Sequence, residues 1–264
     1  MPSNAITRKI GLARALSKAG YCSRSRAAEL IRSGRVQLNG SLRRDPETPV
    51  RLGRDRILVD DHVVGIRPSI YLMMNKPRGL VTTAFDEKGR ATVYSLLESA
   101  GKSLPIESLL GKLPWIAPVG RLDKASEGLL LLTNDSEWAA RVTAPETHLE
   151  KRYHVQIDTL ADPALLQAIV RGVKTEEGDL LRARAAQLLR SGGKNCWLEL
   201  TLDEGRNRHI RCMLAVLGVE VLRLVRVAIG PLHLGTLAKG SCRPLTSEEK
   251  RCLDRAMDAR SVRV

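Results

Sequence analysis

Aromatic residues are scarce: Phe, Trp and Tyr make up 3% of the 264 residues, with one Phe, three Trp and four Tyr. Proteins that hold single-stranded nucleic acid regardless of its sequence use several rings as stacking platforms. This chain has too few rings for that mode, and each one it keeps is more informative. No stretch approaches the roughly 18 apolar residues of a membrane span. The opening M-P-S-N-A-I-T-R-K-I lacks the apolar core of a signal peptide. The five cysteines, Cys22, Cys196, Cys212, Cys242 and Cys252, are odd in number, and none forms a C-x-x-C pair. That argues against a disulfide framework or a zinc site and points to a reducing cytoplasm. Five scattered histidines without H-E-x-x-H give no further reason to expect a metal.

Acidic residues are also short, 29 Asp/Glu against 43 Lys/Arg, which leaves a formal charge of +14. An excess of this size calls for a polyanion, either nucleic acid or an acidic membrane surface. The hydrophobic and charged fractions, 43% and 27%, are those of an ordinary globular protein. The charge is concentrated. Residues 1–67 hold 14 Lys/Arg and 6 Asp/Glu, a net of +8. The rest of the chain supplies the remaining +6. This is the pattern of an appended basic module.

The module's local structure follows from its spacing. Leu12, Ala15, Leu16 and Ala19 recur at helical intervals, with Arg14 and Lys18 on another face. Gly20 ends that helix. Ser23 is placed to cap a second helix carrying Ala27, Leu30 and Ile31, which Gly34 closes. R-V-Q-L-N-G-S-L then reads as a hairpin turning on Asn39-Gly40. Arg24, Arg26, Arg32 and Arg35 crowd the second helix and its exit, with Glu29 the one acid near them in sequence. These arginines, with Arg14 and Lys18, are the expected RNA contacts. Residues 8–66, through A-R-A-L-S-K-A-G-Y-C-S-R-S-R-A-A-E-L-I-R-S-G-R-V-Q-L-N-G, resemble the RNA-binding domain first described in a small-subunit ribosomal protein, the alpha-L motif. The resemblance implies binding to structured RNA.

Beyond a short joint at 67–70, Y-L-M-M-N-K-P-R-G-L-V-T-T reads as a strand broken by a turn and resumed. Residues 84–118 look loop-rich, with a helical piece over 93–97. Strand patterns recur over 129–133, 152–157, 180–189, 197–202 and 220–228. Helices fit 138–142, 163–170 and 207–217, with Asp162 as cap and Pro163 as first residue of the middle one. Helices and strands do not alternate regularly. The expectation is an α+β protein around a mostly antiparallel sheet. Its domains would span 1–66 and 70–255.

Three familiar motifs fail on inspection. A-G-K-S at 100–103 imitates a P-loop end, but Leu96 stands where the first glycine belongs. K-A-S-E-G imitates a nucleophile elbow with Lys124 in place of glycine. Asp123 and Glu127 are spaced like a glycosidase pair on a helix, but Gly128 and the strand after it break any such helix. What remains is Asp123 itself, in V-G-R-L-D-K-A-S-E-G-L-L-L-L-T-N-D at 119–135. Alone it would pass for a turn residue ahead of a buried strand. Arg121 beside it, D-E-G-R-N-R-H-I-R-C-M at 203–213 and K-R-Y-H-V at 151–155 give it company suited to chemistry.

These stretches resemble the ribosomal-RNA pseudouridine synthases of the RsuA/RluB/RluE/RluF type. G-R-L-D-K-A-S-E-G-L-L-L-L-T-N-D is similar to their signature. K-P-R-G, K-R-Y and E-G-R-N-R-H-I-R-C-M follow in the family's order, so the likeness covers essentially the whole chain. It implies an enzyme that detaches uracil from a uridine in ribosomal RNA, turns it and rejoins it through carbon. It casts Asp123 as nucleophile or general base, Arg211 as the cation that orients it and Tyr153 as the ring against uracil. Arg121 would lie near the flipped nucleotide, and Lys76 would take part in RNA contact. His209 and Cys212 replace the family's usual Gln and Arg. No cofactor and no metal are implied, and a monomer is the default. The rival readings are a non-catalytic RNA-binding ribosome-assembly factor and, more remotely, a nucleoside or glycoside hydrolase.

Overall fold

Ser23 Oγ accepts a hydrogen bond from the backbone N of Arg26 at 3.2 Å, so the second helix starts where its cap predicts. The computed structural model describes residues 9–83, 86, 88–101 and 114–261. Phe85 and the Lys102-Ser103 end of the A-G-K-S stretch lie outside these residues. Within them the chain forms two units. One comprises 9–70, 114–117 and 133–136, and the other the remainder.

In the first unit, β1 (Ile10–Gly11) leads into α1 (Leu12–Lys18) and α2 (Arg24–Arg32). Both helices end in the same way. Gly20 and Gly34 take φ of +72° and +74°, and the next residues, Tyr21 and Arg35, donate back to Leu16 and Leu30 at 3.1 and 3.0 Å. Only glycine adopts such a left-handed cap without strain. There follow β2 (Val36–Leu38), β3 (Ser41–Arg43), β4 (Pro49–Val50), β5 (Ile57–Val59) and β6 (His62–Val63). Four of these form an antiparallel sheet in the order β3-β2-β5-β6. The β2–β3 hairpin turns on Asn39 and Gly40, both at positive φ, as a two-residue turn of this type requires. Leu12, Leu16, Ile31, Val36 and Val50 are fully buried between helices and sheet.

Along the rest of the chain run β7 (Tyr71–Lys76), α3 (Tyr94–Gly101), β8 (Ala117–Val119), β9 (Glu127–Thr133), α4 (Ser136–Thr143), β10 (Lys151–Ile157) and α5 (Pro163–Arg171). Then come β11 (Val173–Lys174), β12 (Leu180–Leu181), β13 (Ala185–Ser191), β14 (Cys196–Leu202), α6 (His209–Val216), β15 (Val221–Ile229), β16 (Leu232–His233), β17 (Cys242–Pro244) and α7 (Ser247–Ser261). The main sheet has the order β13-β14-β10-β15-β9-β7-β17, with β16 on β15 and β8 on β9. It is mixed. β10, β13, β14, β15 and β17 pair antiparallel with neighbours, while β9 meets β15 in parallel. The architecture is α+β, as the irregular mixture of elements predicts.

Several expected elements differ in detail. The strand read over 180–189 is two strands, because Arg182 to Arg184 carry the chain from β12 to β13. The strand before K-P-R-G does not resume after the turn; Val81 makes only a single bridge to Thr92. Helix α6 begins at His209 rather than at 207, since Arg208 takes a left-handed φ of +52°.

β9 is buried along its whole length, and Leu129 to Leu132 are each 0% exposed. Leu129 and Leu131 pack with Met73, Trp138, Leu253 and Met257. At roughly 2 kcal/mol for each leucine, burying the four contributes on the order of 8 kcal/mol before entropy costs. A strand close-packed on both faces along its whole length cannot shift without opening voids, so what precedes it is held in place.

Gly128 is what allows β9 to meet β15. It has φ +103°, and a Cβ there would fall 2.3 Å from the carbonyl oxygen of Arg226. Backbone cannot yield as a flexible side chain would. Gly128→Ala is therefore expected to cost on the order of 3 kcal/mol, from left-handed strain and overpacking together. Urea unfolding at equilibrium measures it, and a loss under about 0.5 kcal/mol would contradict this account of the strand pair.

Candidate active site

The turn carrying Asp123 is fixed by its own backbone. Every carbonyl from 122 to 126 accepts a hydrogen bond. Leu122 O takes one from Thr82 Oγ1 at 2.6 Å, and Lys124 O one from the backbone N of Gly79 at 2.7 Å. Ala125 O is held by Arg211 Nη2 at 3.2 Å. Lys76 Nζ serves two of them, Asp123 O at 3.1 Å and Ser126 O at 2.9 Å. Ser126 N closes the turn on Asp123 O at 2.9 Å. The side chain of Asp123 is thus left for the space in front of it.

That space is a cavity of about 560 Å³ whose lining includes Arg121, Asp123, Lys151, Tyr153, Arg208 and Arg226. Tyr153 reaches it from β10, half-buried, with Leu200 and Arg226 as its partners on the flanking strands. Arg121 is exposed at the rim, directly after Gly120, whose φ is +72°. Three widely separated stretches, 119–126, 151–153 and 203–210, converge here as the motif order suggests.

Two expectations need correction. Lys76, expected to touch RNA, is 0% exposed. Its ammonium is spent on the carbonyls of Pro77, Asp123 and Ser126. Read locally, K-P-R-G is a surface turn, but the fold closes the 122–126 turn over its lysine. Burial pushes the ammonium down to about 8, against the opposing pull of Asp123 and Glu127. Arg211, expected as the cation that orients Asp123, donates its hydrogen bonds to the backbone rather than to the carboxylate, to Val221 O at 3.0 Å and Ala125 O. It does not line the cavity. Burial and then Arg208 lower its affinity for its proton, and the charge of Asp123 opposes them through space. Both cations act on the turn's backbone first and on the carboxylate through the field.

His209 is 3% exposed on the cavity wall. Its Nε2 lies 3.0 Å from Arg182 O, so Nε2 carries the proton in the neutral ring. Burial lowers its pKa, with Glu204 pulling the other way. Cys212 is half-buried against the helix core.

In the first unit Arg14, Arg24, Arg26 and Arg35 are exposed, and Lys18 is half-buried. Arg26 pairs with Glu29 at 2.9 Å. Arg35 meets Asp60 with two hydrogen bonds, one of them at 2.8 Å; the hairpin brings in this second acid from 25 residues away. Among the described residues there is no cluster of three or more His, Cys, Asp or Glu placed to hold a metal, and no helix is long and apolar enough to cross a membrane.

Two cations that the sequence patterns do not single out, Lys151 and Arg226, also line the cavity. Lys151 opens the K-R-Y stretch, where the tyrosine is the more distinctive residue. Arg226 sits in an apolar strand more than a hundred residues from Asp123, where only the sheet order could place it.

Residues 70–216 match the RNA pseudouridylate synthase family, and residues 10–64 match the S4 domain. The chain is 35% identical over 243 residues to the ribosomal large subunit pseudouridine synthase B of Bacillus subtilis (strain 168), covering 92% of this chain and 94% of that one. An uncharacterized RNA pseudouridine synthase of Aquifex aeolicus (strain VF5) is also 35% identical, covering 94% of both chains. A crystal structure of a pseudouridylate synthase, 30% identical, superposes with a TM-score of 0.60 over 92% of this chain and 99% of its own.

Proposed function

Because the chain belongs to the RNA pseudouridylate synthase family, we propose that it isomerises a specific uridine of ribosomal RNA with Asp123 as its nucleophile or general base. The family activity is the conversion of RNA uridine to pseudouridine. In that conversion the bond from N1 to the ribose breaks, a bond from C5 to the same ribose carbon forms, C5 gives up a proton and N1 gains one. Mass is unchanged. What supports Asp123 in the central role is the turn whose five carbonyls are all held, with Asp123 lining the same cavity as Tyr153. A reacting group fixed by its backbone needs no reorganisation when substrate arrives, and positioning of this kind lowers the barrier substantially.

A base inside a stack cannot reach Asp123, so the target uridine swings out, at a cost of a few kcal/mol when it is paired. Tyr153 receives the uracil ring, and Arg121 at the rim meets the strand that released it. Arg211 orients the turn and supplies positive potential. The name of the Bacillus subtilis relative favours large-subunit RNA as the substrate. We further assign residues 1–66 to RNA binding and 70–255 to catalysis, in a monomer working in the cytoplasm.

Carbodiimide labelling followed by primer extension, on ribosomal RNA incubated with the protein, tests the reading. One or a few new stops are expected. Release of free uracil would identify a hydrolase instead, and tight binding without stops a non-catalytic assembly factor.

The basic module makes its own prediction. In the full chain, replacing Arg14, Arg24 and Arg26 by Gln is expected to flatten the slope of log affinity against log salt by about 2, at about 0.7 per phosphate contact. Filter binding to a ribosomal RNA transcript over a salt series measures it. An unchanged slope would show these arginines to be merely solvated.

A further inference from the structure

Arg226 on β15 is 6% exposed and lines the cavity. Its Nε donates to Leu129 O at 2.7 Å. Its Nη2 is closed off from solvent and has no acceptor among the described residues. A guanidinium keeps its charge at any ordinary pH. Buried charges are otherwise paired with an opposite charge, because an isolated one is strongly unfavourable in a low-dielectric wall. Glu127, by contrast, is met by both Arg223 and Lys239. Among the described residues Arg226 has no such carboxylate within salt-bridge distance.

The missing anion has a definite place to come from. Arg226 is the cross-strand partner of Tyr153, and both side chains face the same cavity. Lys151, two residues before Tyr153 on β10, lines it as well. Its ammonium is half-buried, and burial followed by the charge of Arg226 lowers its pKa while Asp203 opposes them. Two cations on one wall, one of them nearly dry and unpartnered, call for a ligand with a full negative charge. A neutral uracil carbonyl would accept a hydrogen bond without cancelling either charge. A phosphodiester oxygen does both.

We propose that Arg226, with Lys151, is the cavity's phosphate-binding subsite and takes a phosphodiester oxygen of the nucleotide whose base lies against Tyr153. This rests on the proposed isomerisation for the identity of that nucleotide, and on the cavity itself for its charge. The subsite anchors the backbone on one side of the flipped residue, so that the sugar stays in register while uracil is released and turned.

The test is calorimetric binding of uridine, uridine 5′-monophosphate and uridine 3′-monophosphate to the full chain. The wild-type chain is expected to bind one of the monophosphates at least about tenfold more tightly than uridine, the gain of one charge-assisted contact. Which monophosphate gains identifies the flanking phosphate. Arg226→Gln is expected to erase the preference, Arg226→Lys to keep part of it, and Lys151→Gln to reduce it. No preference in wild type, or an undiminished one in Arg226→Gln, would overturn the proposal. Should Arg226→Gln fail to fold in a thermal melt, an unchanged preference in Lys151→Gln does so instead. The two readings fail separately. A wild-type chain that prefers a monophosphate but yields no carbodiimide stops leaves the subsite standing and removes the isomerase, and stops without a preference do the reverse.

Discussion

Asp123→Asn is expected to lower pseudouridine formation by about 10³-fold or more while leaving the fold and RNA affinity unchanged. The size follows from the role, since a positioned base alone contributes roughly 10² to 10⁴-fold, and a nucleophile cannot be replaced by an amide. The selectivity follows from the turn. Thr82, Gly79, Arg211 and Lys76 hold its carbonyls, and none of the hydrogen bonds shaping it uses the Asp123 side chain. Asparagine therefore leaves the turn's hydrogen bonds in place, and the loss of its charge beside buried Lys76 and Arg211 should cost stability no more than about 1 to 2 kcal/mol. Single-turnover labelling of ribosomal RNA, run beside filter binding, separates the two quantities. Equal numbers of primer-extension stops from both proteins would refute the assignment of Asp123, whatever the binding showed.

Lys76→Met is expected to slow the reaction about a hundredfold without touching substrate, the scale of loss when a remote change misplaces a reacting group by about 1 Å. Methionine matches the lysine stem in length and removes all three donors. The carbonyls of Pro77, Asp123 and Ser126 then lose a partner, and the turn relaxes. The variant also carries a pH signature. Lys76 titrates at about 8 in the folded chain against an ordinary 10.5. Between those values the unfolded chain holds more protons than the folded one, so stability rises with pH across the window. The contribution is absent below pH 8 and complete above 10.5. It amounts to about 3 kcal/mol on the scale of 1.36 kcal/mol per unit. Urea unfolding at pH 7.5 and pH 10.5 should therefore show wild type gaining on Lys76→Met by about that much, other groups cancelling in the difference. Parallel curves for the two proteins would show that the lysine is not desolvated as described.

Much of this was legible in advance where the cause is local. Ser23, Gly20, Gly34 and Asn39-Gly40 state their own backbone requirements, and each capped or turned the chain as expected. Asp162 accepts from Leu165 N at 2.7 Å at the start of α5. Four consecutive leucines announced a strand covered on both faces. What was hidden depends on partners distant in sequence. A hydrophobic run does not name its neighbour, so the parallel pairing of β9 with β15 could not be read from it. Lys76 looks like a surface residue until the 122–126 turn closes over it. Asp60 does not declare its partnership with Arg35 until β5 and β6 fold back. The elements after Gly230, β16, β17 and α7, have short or weakly patterned sequences, and packing rather than periodicity specifies them.

A loop shaped through its main chain leaves its side chains at liberty. Lys124 is exposed and Ala125 half-buried at the tip, and neither side chain is among those that tie the tip down. Substitutions at these two positions are therefore expected to change what the tip presents to its surroundings while the backbone that carries Asp123 stays where it is. The same independence makes the tip a suitable host for an unnatural acid at 123, since the scaffold would not register the exchange.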